Sequence, residues 1–480
     1  MLNSDLDAIV PMLCVTLAAL VSMLAEAFRE KGERMPMAVW GLIGLAGAGV
    51  SSVLLWNRST VGFGVIASDN FGLFVTLTLV AVGALTLLFS SPVVERDGFP
   101  AGEYYALVLF AIVGMMMMAT ATDLLVIFVA LEILSLAVYV LTSIRRDNAS
   151  SVEAGFKYFL LGAFSSAFFL YGIAFTYGVT GSTRLPAVGS YLAAQSMSGN
   201  PLILVALGLL LVGFCFKISA VPFHMWTPDA YEGAPTIVTA FMSTGVKAAA
   251  FAAFARVFLS TFEPFKADWA PVVSALAVAT MVLGTVVGVA QTNLKRMLAY
   301  SSIAHGGYLL VGLVAGNNVG KAAILFYLLA YSVTNLAAFG AIALLGSRDR
   351  GNDELRDYAG LWHSQPAVAA LLTVSLLSLG GLPPTVGFIG KWYIFSAAVS
   401  TGDYGLAIVG MLTSVVSVFF YLRVVVMMYM ADRGPAAEPL PKVAGLGMAA
   451  LAVVIVAILW LGVLPTPVLD LAQASIATIF

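Results

Sequence analysis

Six ionisable residues, Glu132, Lys217, Lys247, Lys391, His305 and His224, stand in or beside long apolar runs of a 480-residue chain. Amines, imidazoles and carboxylates take up and release protons with no second reagent, so proton transfer is the chemistry open to this set. A charge in mid-bilayer costs roughly 2.5–3.5 kcal/mol, and three lysines with a glutamate cost about 10 kcal/mol if uncompensated. Such residues face a bundle interior or a wet cavity, and they mark ion or proton pathways. Removing an ammonium from water favours the neutral amine, whereas a nearby carboxylate favours the charged form. A carboxylate that approaches and withdraws therefore makes a buried lysine a switchable carrier. The spacing predicts an order: Glu132 controls Lys217, Lys247 is the next station, His305 is a link, and Lys391 completes the line. His224, expected near the cytoplasmic end of its span, helps admit protons.

The elements that position these groups are transmembrane helices. The chain is 61% hydrophobic and 10% charged, against about 25% charge in soluble domains. That excludes a water-soluble protein, and the net charge of −2 gives no reason to expect a nucleic-acid partner. Cys14 and Cys215 lie in apolar runs and read as small core residues. The leader Met1–Asp7 lacks the basic residues of a signal peptide, so the first span is expected to stay. At about 20 residues per crossing, about fourteen spans are expected, starting near Ala8, Pro36, Asn70, Glu103, Asp123, Gly155, Pro201, Pro235, Ala270, Met297, Lys321, Pro366, Tyr404 and Val443. The fold class is an all-α polytopic membrane protein with a single membrane domain, 1–480.

Loops after odd-numbered spans hold 13 basic residues and those after even-numbered spans hold 4. The positive-inside rule puts the first set in the cytoplasm and both termini on the other side. Of the basic residues within spans, Lys157, Arg256 and Arg423 lie nearer the ends and are expected to snorkel. Asp123 is expected to cap the fifth span, and Met115–Met118 to fill apolar volume.

Two spans cannot be continuous helices. The seventh carries Lys217-Ile218-Ser219-Ala220-Val221-Pro222-Phe223-His224, whose proline frees backbone carbonyls near the lysine. The twelfth carries Gly380-Gly381-Leu382-Pro383-Pro384-Thr385-Val386-Gly387 before Lys391. Non-helical backbone at this depth survives only where protein or a water cavity satisfies it. The two breaks stand five spans apart, an odd number, so a five-helix repeat inserts in opposite senses in its two copies. Two inverted five-helix repeats, each with a broken helix, follow: 103–262 (helices 4–8) and 263–432 (helices 9–13), flanked by 1–102 (helices 1–3) and 433–480 (helix 14). No phosphate-binding loop, dinucleotide fingerprint, cysteine cluster or haem-binding histidine pair is present in the sequence, so the energy must come from an ion gradient or a partner.

The run Val221-Pro222-Phe223-His224-Met225-Trp226-Thr227-Pro228-Asp229-Ala230-Tyr231-Glu232-Gly233-Ala234-Pro235-Thr236, with Tyr300–His305 and Gly381–Phe388, resembles the antiporter-like family of respiratory complex I and multisubunit Na⁺/H⁺ antiporters. The resemblance covers nearly the whole chain. It implies fourteen helices, two inverted repeats and a central hydrophilic axis. Glu132 matches the charged partner of the broken-helix lysine Lys217, Lys247 the central lysine, and Lys391 the terminal residue of the second broken helix. The M-type branch typically has Glu at that last position, and the L-type branch has a long C-terminal lateral helix; Lys391, the chain length and the Tyr231-Glu232-Gly233 wording resemble the N-type branch. The resemblance implies a proton-translocating subunit of a bacterial inner-membrane NADH:quinone oxidoreductase. Its partners are then the other membrane subunits and the lipid bilayer. NADH, FMN, Fe–S clusters and quinone are used by partner subunits, and no cofactor or metal is held in this chain. A stand-alone or Mrp-type cation/proton antiporter is the alternative, but Glu132 is the one clear acid at depth, against the acid-rich site expected of a sodium path.

Overall fold

The computed structural model describes residues 2–29, 36–195, 200–347, 352–433, 440–443 and 445–479. Basic residues Lys31, Arg34, Arg348 and Arg350, counted above for orientation, lie outside the described residues. Fourteen crossings are present among the described residues. The first six are Leu2–Phe28, Met37–Leu54, Asn70–Asp97, Ala101–Thr120, Leu124–Thr142 and Ala149–Thr180. The seventh is broken into Pro201–Ile218 and Trp226–Gly233, and the eighth is Thr236–Thr261. Lys266–Val289, Leu294–Ala315 and Asn318–Leu345 are the ninth to eleventh. The twelfth is broken into Pro366–Gly380 and Val386–Ser400, and Tyr404–Met430 and Gly445–Val463 complete the set. The first and sixth begin six residues earlier than expected, because hydropathy sees the apolar part of a helix and misses its polar end. Additional elements that the apolar runs do not signal are a hairpin, Thr60–Gly62 with Ile66–Ser68, and the short helices Leu185–Ala194 and Thr466–Ile476.

Helix starts are fixed by side-chain caps. Asp69, Asp123, Asn148, Asn200, Asn293 and Asn317 each accept an N–H of the first turn, which supplies a partner the helix cannot. The expected Asp123 cap is thus present, and the carboxylate also accepts from Thr183 Oγ1 at 2.8 Å. Met115, Met116 and Met118 are fully buried, as apolar filler should be.

A repeat is visible in the backbone. The start of the fifth span bridges the segment after the sixth, Asp123 to Arg184, and the start of the tenth bridges the segment after the eleventh, Asn293 to Glu354. From 123 to 293 and from 184 to 354 is 170 residues in both cases. The hydrogen bonds match as well: Leu124 N to Thr183 O and Leu185 N to Thr122 O in one copy, Leu294 N to Asp353 O and Leu355 N to Thr292 O in the other. Because spans five and ten differ by an odd number, the two copies cross in opposite senses.

Burial sorts the spans into layers. The eighth is wholly buried over its apolar window, and the tenth and eleventh are 94% buried, whereas the first, second, sixth, ninth and thirteenth are 33–39% buried and turn apolar faces outward. A helix apolar all round belongs inside a bundle or in lipid. Here two of the three most buried helices are the ones that carry Lys247 and His305.

Candidate proton-transfer site

The two breaks are built alike. Ser219 (φ +63°) and Gly381 (φ +81°) end the first halves of the seventh and twelfth spans in the left-handed conformation. Glycine adopts that conformation freely. At Ser219 the hydroxyl accepts from Thr227 Oγ1 at 2.7 Å, which ties it to the second half-helix.

The lysines beside the breaks have opposite surroundings. Lys391 Nζ donates to Leu379 O (2.9 Å), Gly380 O (3.1 Å) and Ser414 Oγ (2.8 Å), so it caps the carbonyl end of the first half-helix from the second. Lys217, 2% exposed, has no hydrogen-bond partner for Nζ among the described residues. Its ammonium lies 5.2 Å from the ring centres of Tyr139 and Tyr158 and 5.8 Å from that of Phe216, a cation–π cage. The expectation that carbonyls freed by Pro222 meet Lys217 is corrected here. Phe216 O accepts from the Trp226 indole N–H at 3.0 Å and Cys215 O from Ala220 N at 2.8 Å, so the second half-helix and the connection before it satisfy them.

Glu132 is half-buried on the fifth span, one of its carboxylate oxygens, Oε1, being buried without a partner among the described residues. It takes part in none of the described ion pairs; Tyr139, seven residues on and so on the same helix face, lines the space beside Lys217. His224 lies in the connection between the two half-helices, with Gly233, the end of the span, nine residues further on. Its placement near the cytoplasmic end is therefore corrected: the break comes earlier, and a complete second half-helix follows it. The imidazole is half-buried and its Nδ1 has no partner among the described residues.

The remaining groups converge on the tenth span. Lys247, 2% exposed, follows a π-helical turn, Met242–Val246, and donates to Ser302 O at 2.6 Å. A π-turn inside an α-helix often marks a functional site. A Cβ on Gly306 would stand 3.1 Å from Ile218 O and 3.9 Å from Lys247 Nζ, so this glycine lets the tenth span pass between the first break and the central lysine. One residue back, His305 engages Tyr327 Oη through Nδ1 (2.6 Å) and Tyr421 Oη through Nε2 (3.2 Å). A neutral imidazole donates at one nitrogen and accepts at the other, so it can pass a proton by exchanging tautomers. Tyr308, with its ring 5.4 Å from His305, carries the Lys391 ammonium 5.1 Å from its centre. The structure thus brings Lys247, His305 and Lys391 into one polar core, with Lys217 across the Gly306 crossing.

Several members of this core were not singled out in the sequence. Tyr327, Tyr331 and Asn335 recur every four residues in an apolar helix, a polar stripe that was there to be read. Tyr331 Oη donates to Ser302 Oγ (2.8 Å), and Asn335 Nδ2 reaches Tyr331 Oη (3.0 Å) and Ser243 Oγ (2.8 Å). Arg256 does not snorkel. It is 3% exposed and pairs bidentately with Asp69 at 2.7 and 2.8 Å, also donating to Ala119 O. Lys157 instead joins Glu153 and Asp229 in an ion-pair cluster, and Arg423 donates to Val289 O and Gln291 O.

Fourteen crossings, two broken helices and a buried Lys/His/Tyr axis define a membrane module of the antiporter-like class. Residues 121–417 match the family described as NADH:quinone oxidoreductase/Mrp antiporter, TM. The chain is 44% identical over 478 residues to the NADH-quinone oxidoreductase subunit N of Trichlorobacter lovleyi, covering 99% of this chain and 98% of that protein. It is 42% identical to subunit N 2 of Rhizobium meliloti, covering 98% and 97%. It superposes on a chain of respiratory complex I from Thermus thermophilus with a TM-score of 0.81 and 36% identity, covering 96% and 99%. A chain of the Mrp complex from Dietzia sp. DQ12-45-1b shares the fold, with a TM-score of 0.87, 23% identity and coverage of 99% and 97%. The chain belongs to the NADH:quinone oxidoreductase/Mrp antiporter family and, within it, to the subunit N proteins of NADH-quinone oxidoreductase.

Proposed function

We propose that this chain is a proton-translocating membrane-arm subunit of an NADH:quinone oxidoreductase and carries protons on Lys217, Lys247, His305 and Lys391. The observation that carries this reading is the clustering of ionisable and hydroxyl groups around His305, with Lys247 on one side through Ser302 and Tyr331, and Lys391 on the other over the Tyr308 ring. Glu132 sets the charge state of Lys217 from the middle of the fifth span, and the unpaired Lys217 and His224 nitrogens stand ready to exchange protons at the break. Electron transfer from NADH to quinone takes place in partner subunits, which hold the FMN and Fe–S clusters. Basic loop residues place the Arg96, Arg145 and Lys295 face in the bacterial cytoplasm and both termini in the periplasm. The assembled complex is a translocase of the inner membrane, bound to other membrane subunits.

Lys247→Ala in the assembled complex tests this reading. Expected is a lower proton-to-NADH ratio in membrane vesicles with the complex present in normal amount. A ratio equal to that of the parent defeats it, and sodium transport replacing proton transport points to the cation antiporter reading.

A further inference from the structure

A second polar site lies away from the core, where the third, sixth, seventh, eighth, tenth and eleventh spans meet at the basic face. It is a cavity of about 180 Å³ lined by Arg96, Asp97, Arg145, Glu232, Lys295 and Asp353. Asp97 is locked by both arginines, Arg96 at 2.8 Å and Arg145 in close contact, and Arg96 also donates to Ala343 O and to Gly346 O. These contacts hold the walls. Lys295 and Asp353 are different. The Lys295 side chain is 4% exposed, and Nζ donates to Glu232 O (2.7 Å) and Ala234 O (2.8 Å), the hinge between the broken seventh span and the eighth. Asp353 is 25% exposed and stands 3.6 Å from that ammonium through one oxygen, while its other oxygen, Oδ1, is buried with no partner among the described residues. A carboxylate between water and a buried amine, with an oxygen left over, is a proton acceptor at a mouth.

Thr236 and Ile237 line the inner end of the cavity, and from there the eighth span carries Thr239, Ser243 and Lys247 four residues apart, all of them buried. Thr239 Oγ1 donates to Tyr231 O at 2.9 Å, Ser243 Oγ accepts from Asn335 at 2.8 Å, and Asn335, Tyr331 and Ser302 lead on to Lys247. From Thr236 to Lys247 is about 16 Å at 1.5 Å per residue.

We propose that this cavity is the proton-uptake vestibule for Lys247, with Asp353 as its acceptor and Lys295 as its gate. This rests on the functional reading above. A proton from cytoplasmic water binds the Asp353 carboxylate. The Lys295 ammonium gives its proton to the hydroxyls of the eighth span and is left as the amine, and the proton on Asp353 then restores the ammonium. Each turn moves one proton inward and returns both groups to their starting states. Arg96 and Arg145 stay charged, and with Asp97 they set the local field.

Asp353→Asn and Lys295→Arg are to be made in the whole complex and assayed in inside-out vesicles, whose outer face is the vestibule side. The proton-to-NADH ratio is read against outer pH, beside Lys247→Ala. Asp353→Asn should match the parent at about pH 6 and fall below it at about pH 8, its half-maximal point shifted down by about one unit, a tenfold greater need for protons. Asp353→Glu should restore the parental profile. Lys295→Arg keeps the charge and hinge hydrogen bonds but does not surrender its proton, so its ratio should be low at every pH. A parental profile in either variant overturns the proposal, as does a pH-independent loss in Asp353→Asn. If Lys247→Ala pumps normally the functional reading fails; if it does not, and the vestibule variants do, the vestibule alone fails. Should Asp353→Asn lower the amount of complex, Lys295→Arg decides.

Discussion

Lys217 and Arg256 are both buried cations, yet loss of each has a different consequence. The Lys217 ammonium has aromatic faces and no hydrogen bond, so removing its charge ends a desolvation penalty. Lys217→Leu should therefore keep or raise the thermal midpoint of the complex while lowering the proton-to-NADH ratio. A group maintained at such a cost without a structural bond is retained for its chemistry. Arg256 forms a bidentate pair with Asp69, and Arg256→Ala strands that carboxylate. Breaking a buried pair costs about 3–5 kcal/mol, so this variant should show a lower unfolding midpoint or a loss of assembled complex. Equal stability of Arg256→Ala and the parent would contradict this assignment.

The broken twelfth span joins two half-helices through Gly381, and the lysine of the second half grips the carbonyls of the first. Gly381 is needed twice over. Its φ of +81° disfavours a side chain, and a Cβ would come within 2.9 Å of Lys391 Cδ. Gly402, with φ +85° and open space around it, has the first constraint without the second. Left-handed strain in a non-glycine residue costs on the order of 1–3 kcal/mol, so Gly381→Ala and Gly402→Ala should destabilise by comparable amounts. Only Gly381→Ala should also disturb pumping, because it displaces Lys391. Matching pumping in the two variants would separate the lysine from the path. At the first break, Gly162 leaves room for Tyr139, whose hydroxyl lies 1.9 Å from where a Cβ would stand. Gly162→Ala should push this ring off Lys217 and lower pumping with the lysine itself intact.

At the scale of the molecule, the path works as a series, and series elements do not add. Lys217→Leu and Lys391→Leu should each lower the proton-to-NADH ratio, and the double variant should be no worse than the poorer single one. Additive losses would mean two independent routes through the chain. The inverted arrangement supports the series: each repeat supplies one broken helix, and the deeply buried eighth, tenth and eleventh spans join them through Lys247 and His305. Lipid-facing spans surround this centre, so a proton in the core has hydroxyls, imidazole and amines as its neighbours rather than hydrocarbon.

Most of the fold was legible in the sequence because the bilayer imposes length and apolarity on every crossing, and because proline and glycine at depth announce a break wherever they fall. Twelve of the fourteen starts lay within a few residues of the observed helices, and the lysines were recognisable as costly residues from their type and position alone. What each charge touches was decided by the tertiary structure. Arg256 lies near a span end like any snorkelling arginine, and only packing brings it to Asp69, 187 residues away. Lys217 and Lys391 read alike beside two breaks, but Lys217 ends the half-helix before its break and meets the rings of Tyr139 and Tyr158 on neighbouring spans, whereas Lys391 lies in the half-helix after its break and reaches back to the carbonyls of the first. Lys295 at a span end and Asp353 in a loop stand among polar neighbours, with no sign of burial in the sequence. They became an enclosed pair only when six spans closed around them, since a contact between distant parts of a chain leaves no periodic signal in the sequence.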